Sequence, residues 1–242
     1  LGGTGQLVLH YLLQWHLLGL EADTGPLRAL LIDQDEPLTS LRFAQAFFAR
    51  LADTRGLLAT GAPAPWIREA RLDLADGHAR LETLLSGEAP HALHPARALF
   101  DRATLAQEVG EGLYGRPCLA PVLWPRHGES IRKALEAACQ EGVGGGGPVR
   151  VVVVGSVVGG AGGGLLLPVV SHRLTQGIEA QVSAVLLERW FHAPTLGADL
   201  GRRQAANRAG VLRTLVEQMQ TESRFLLQHI CVLNGNAPRN EE

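Results

Sequence analysis

A chain of 242 residues is long for one domain and short for two, so a single domain over 1–242 is expected. Hydrophobic residues at 46% against charged residues at 19% exclude general disorder. With 22 basic against 24 acidic side chains, a formal net charge of −2, there is no electrostatic basis for binding nucleic acid or an anionic membrane.

The chain opens on Leu1-Gly2-Gly3-Thr4-Gly5. A glycine turn of this kind normally follows a strand, so an N-terminal strand is expected outside these residues. Leucine-rich residues 6–20 predict a helix with Val8, Leu12, Trp15 and Leu18 on its inward face. Residues 27–32 are a short apolar strand, ended by the acidic turn Asp33-Gln34-Asp35-Glu36-Pro37. A helix follows over 39–52, then a proline-broken stretch with a strand near 70–74, and helical character over 96–109. Residues 112–121 read as a loop, 128–140 as an amphipathic helix, and the glycine run 142–147 as a surface connection. Then come a buried valine strand at 149–154, a glycine loop at 159–164, and a helix over 165–174. Strands at 181–187 and 227–233 flank a loop at 191–201 and a helix over 203–220. This alternation predicts an α/β fold, three-layered, with a mostly parallel sheet and helices on both faces.

Residues 151–171 are uncharged over a length that would cross a bilayer. The glycines and Pro168 make a continuous helix unfavourable there, so a strand–loop–helix is expected and membrane insertion is not. Cys118, Cys139 and Cys231 are odd in number and far apart, which argues against a disulfide framework and for a reducing, cytoplasmic setting.

Two glycine segments carry the candidate chemistry. Gly2, Gly3, Thr4, Gly5 and Gln6 open a helix, where free N–H groups favour an anion. Gly159, Gly160, Ala161, Gly162, Gly163 and Gly164 follow the valine strand. Such a run is entropically expensive, by about 1 kcal/mol per glycine against alanine, and is tolerable if its amides cradle phosphate oxygens. A dinucleotide-binding domain uses one such loop; two loops closing on one polyphosphate are a different design.

In this order the motifs resemble the nucleotide-binding domain of the tubulin and FtsZ superfamily, particularly its divergent bacterial members. Gly2–Gln6 resembles the first nucleotide loop, Asp33–Pro37 the acid-and-proline turn near magnesium, 112–121 the third loop, and Gly159–Gly164 the signature loop. The resemblance implies GTP or GDP with Mg2+ as cofactors, phosphate contacts from the two glycine segments, and a metal contact from Asp33 or Asp35. It also implies ribose or base contacts from Arg203 and Asn207, and self-association through longitudinal contacts. Two departures stand out. Ala161 replaces the signature threonine, and Gly163 replaces a small hydroxyl residue. The family's second domain and the acidic loop that triggers hydrolysis in a neighbouring subunit are not recognised in these residues, so binding rather than turnover is expected and no catalytic residue is assigned.

Other readings of single residues stay bland. His91 and His94 fit a solvated loop, His172 a packing histidine, and Ser156 lacks a nucleophile-elbow context. Arg202 and Arg203 open a helix where the dipole disfavours cations, consistent with ligand or solvent. Two other functions fit: a non-catalytic tubulin-like scaffold, and an NAD(P)-dependent Rossmann oxidoreductase using Gly2–Gly5 alone.

Overall fold

Valine-rich runs form strands here, and every strand pair among the described residues is parallel. The computed structural model describes residues 1–17, 28–34, 66–74, 79–86, 98–109, 112–113, 115–143, 149–172, 180–189, 198–221 and 227–234, with 42, 45, 46 and 49. The elements are α1 (Gly2–Leu17), β1 (Arg28–Ile32), β2 (Trp66–Ala70), α2 (Leu81–Leu84), α3 (Arg102–Leu105), α4 (Leu119–His127) and α5 (Glu129–Val143), followed by β3 (Val149–Ser156), α6 (Gly160–Ser171), β4 (Ala180–Arg189), α7 (Ala198–Thr221) and β5 (Leu227–Asn234). The expected helix 39–52 lies largely outside the described residues. So do Asp35, Glu36, His91, His94, most of the glycine run 142–147 and the loop before α7.

The α/β class is as expected. β1 pairs with β2, and β3, β4 and β5 lie side by side in that order. Residues 149–156 align one-to-one with 180–187, so Ser156 and Leu187 mark the same end of the sheet. Both α1 and α5 pack against β1 and also against β3, bridging the two sheets. The main core joins Ile32, Leu119, Leu123, Ile131, Leu165 and Leu186. A smaller cluster of Leu9, Leu13 and Leu31 seats α1 on β1.

Several expectations are corrected. α1 begins at Gly2, and its buried line runs through Gly5, Leu9 and Leu13, while Trp15 is 57% exposed. The inward face is therefore one residue round from the predicted one; a leucine-rich helix offers two apolar stripes, and the sheet takes the one that includes its glycines. The strand expected at 70–74 is β2, ending at Ala70, and helix in 96–109 is confined to α3 and a short turn before it. Helix α4 begins inside the expected loop 112–121. The valine strand is buried only in its second half: Val152 is 58% exposed. The uncharged stretch is cut into β3 and the twelve-residue α6, and no helix among the described residues is long and apolar enough to cross a membrane.

Helix α5 is held by a cap from outside itself. The Asp73 carboxylate, just past β2, accepts from Ser130 N at 2.9 Å and from Ser130 Oγ. Its limited desolvation works to raise its pKa. The two Ser130 hydrogen bonds, with His127 and Arg132 nearby, outweigh that and hold it below the ordinary 3.8. The sign follows. A carboxyl depressed on folding stabilises the fold above its unfolded pKa, and that contribution is lost as pH falls through the folded value. The urea midpoint is therefore expected to fall below about pH 4 in the wild type and less steeply in Asp73→Asn, read by circular dichroism. Equal slopes in the two proteins would remove Asp73 as the cap.

Candidate functional site

Both glycine segments are first turns of helices, and they touch. Gly2, at φ 66°, has its Cα against the first turn of α6: a β-carbon there would stand 3.0 Å from Gly162 N and 3.5 Å from Ala161 Cβ. Leu1 N donates to Val154 O at 2.5 Å, which lays the start of α1 along the end of β3. Gly2, Gly5, Gln6 and Gly160–Gly164 are buried, Thr4 and Gly159 half-buried, and Gly3 exposed. Sequence reasoning thus found a true junction, at the carboxyl ends of parallel strands where α/β folds bind ligands.

It misread the form of the second segment. Residues 160–164 are helix, not loop, and their lack of side chains has a packing cause. β-Carbons would stand 2.7 Å from Leu113 Cβ at Gly160, 2.8 Å from Ser156 N and O at Gly162, 3.1 Å from Val157 O at Gly163, and 2.5 Å from Pro117 O at Gly164. The run lets α6 lie flush on the end of β3 and on Leu113, Pro117 and Ala120. The entropy argument for a phosphate nest is thereby replaced by a steric one. What remains for an anion is the helix start. Gly159 caps α6 without a side chain, and Gly163 N returns to Gly159 O at 3.0 Å. The buried amides of Gly160, Ala161 and Gly162 donate to no acceptor among the described residues. Buried helix-start amides without partners are rare in folded proteins.

Asp33 is tied to this junction through Gln6. It is buried at the end of β1, accepting from Gln6 Nε2 at 2.8 Å and from Gln34 N at 2.8 Å. Gln34 Oε1 in turn accepts from Leu72 N at 3.2 Å, tying β1 to the segment after β2. Gln6 thus links the first turn of α1 to the Asp33 carboxylate. Asp35 lies outside the described residues. No group of three or more metal-ligating side chains occurs among the described residues.

The residues expected at ribose or base divide. Arg203 is exposed on α7. Asn207, one turn on and half-buried, directs Nδ2 to Gly115 O at 2.7 Å and Val158 O at 3.2 Å. Its amide nitrogen is thus engaged by backbone carbonyls on two segments. Sequence reasoning missed Glu188, whose carboxylate is 5% exposed at the end of β4 and pairs with Arg208 Nε at 2.7 Å. An acid directly after the apolar run Val185-Leu186-Leu187 was the available signal. Ser156 is buried, its hydroxyl accepting from Val158 N at 3.2 Å. His172 packs edge-on to Trp124 and meets Glu136 Oε1 at 3.2 Å, as a packing histidine would. No family model matches the chain, and no curated protein matches it.

Proposed function

We propose that the α1–α6 junction binds the polyphosphate of a guanine nucleotide, in a three-layer domain of the tubulin and FtsZ kind. One observation carries this reading: two helix starts meet at the carboxyl end of a parallel sheet, and three amides at the buried start of α6 have no partner among the described residues. Two helix dipoles ending together favour an anion, and each amide bond to a charged oxygen contributes about 1.5–3 kcal/mol. Asp33 fits a magnesium ion carried by the phosphates: its buried carboxylate is held by Gln6 and Gln34, and magnesium of this kind takes one or two carboxylates with phosphate and water. GTP or GDP with Mg2+ is then the ligand, and longitudinal self-association is the behaviour that the family resemblance implies.

A second reading, the non-catalytic scaffold, is favoured by the missing hydroxyls at Ala161 and Gly163 and by the packing role of the glycines. Calorimetric titration with GTP, ATP and NAD in magnesium separates the alternatives. Saturable GTP binding that weakens at least tenfold in Asp33→Asn is the expected result. No binding of any of the three leaves the scaffold, and preferential NAD binding leaves the oxidoreductase. Pelleting with and without GTP then tests assembly.

A further inference from the structure

Asn207 is an unfavourable residue for the middle of a helix, and its neighbours explain why it is there. Gly115 O and Val158 O belong to two segments that flank the first turn of α6: residues 115–118 on one side, and the exit of β3 on the other. Leu113 and Pro117 close over that turn directly, Leu113 against Gly160 and Pro117 against Gly163 and Gly164. Gly115 has φ 66°, the left-handed region that favours glycine. One turn beyond Asn207, Val211 Cγ2 would stand 3.1 Å from a β-carbon at Gly163. Helix α7 thus grips the start of α6 twice, by an apolar contact and by a forked hydrogen bond.

We infer that Asn207 is a positioning residue for the anion site: by bonding both flanking carbonyls it holds residues 115 and 158 in the conformation that leaves the amides of 160–162 aimed at the phosphate. The inference rests on the phosphate reading above, and it assigns Asn207 to phosphate geometry instead of base recognition. Substituting Asn207→Ala removes both donors while raising helix propensity, so α7 is not weakened. Asn207→Asp keeps the shape but turns a carboxylate toward two carbonyl oxygens, which is worse than removal.

The test compares GTP, pyrophosphate and guanosine, each in magnesium, on the full chain, with amide hydrogen exchange over 115–118 and 157–160. Expected are a loss of about tenfold in affinity for both GTP and pyrophosphate in Asn207→Ala, a larger loss in Asn207→Asp, unchanged guanosine binding, and faster exchange in both segments. Weaker GTP and guanosine with unchanged pyrophosphate would mean a base contact and overturn the inference. Unchanged affinities or unchanged exchange would overturn it as well. A wild type that binds neither GTP nor pyrophosphate would instead defeat the phosphate reading itself, and this inference with it.

Discussion

Gly164→Ala is expected to destabilise the chain by about 3 kcal/mol, lowering the melting temperature by roughly 6–12 °C. Within a helix the same exchange ordinarily stabilises by about 0.5–1 kcal/mol, because alanine restricts the unfolded backbone and favours helix. Here the sign reverses for a steric reason. The new methyl would stand 2.5 Å from Pro117 O and 2.8 Å from Ala120 Cβ. Neither neighbour is the end of a flexible side chain, so relief requires α4 to move away from α6, and the two helices share the core through Leu119, Leu123 and Leu165. Gly210→Ala is the internal control. Gly210 lies exposed within α7 with nothing within 4 Å of its β-carbon position, so the ordinary gain should appear there. Thermal melts of the two variants should move in opposite directions. If Gly164→Ala melts with or above the wild type, α6 does not lie flush on residues 117–120.

That steric cause also explains what sequence reading reached and where it stopped. Strands β1, β3, β4 and β5 were legible because branched apolar runs between glycine-rich or polar stretches fit a pleated surface and little else. The starts of α1 and α6 were not, because glycine's poor helix propensity is a local quantity and the contacts that override it are distant: Gly2 meets Gly162, and Gly164 meets Pro117. The meeting of the two segments was legible from their composition; their helical form was not. Polar pairs left still less trace. Gln6–Asp33, Asn207–Gly115 and Arg208–Glu188 join residues with no shared spacing, and each is decided by how helices settle on the sheet. An acidic residue closing an apolar strand, as Glu188 does, or an asparagine inside a long helix, as Asn207 is, marks only that a partner must exist.

The largest functional effect is expected at Gly162. A β-carbon there would lie 2.8 Å from both Ser156 N and O and 3.4 Å from Leu1 O, wedged between β3, α1 and the start of α6. Gly162→Ala should separate the two helix starts; on the proposed phosphate site, losing two amide–phosphate bonds of about 1.5–3 kcal/mol each would weaken GTP about a hundredfold or more. Lost stability alone would also weaken binding, so Gly3→Ala carries the decision. Gly3 is exposed in the first turn of α1, its φ is ordinary, and nothing lies within 4 Å of its β-carbon position. The protein itself gives no reason for a glycine there, and alanine should hold or raise the melting temperature. A phosphate resting on that turn would meet the new methyl. Melting at or above wild type combined with about tenfold weaker GTP binding is therefore the expected pair of results. Full GTP affinity in Gly3→Ala would show that no phosphate lies against α1, and would leave the amides of α6 as the whole of the anion site.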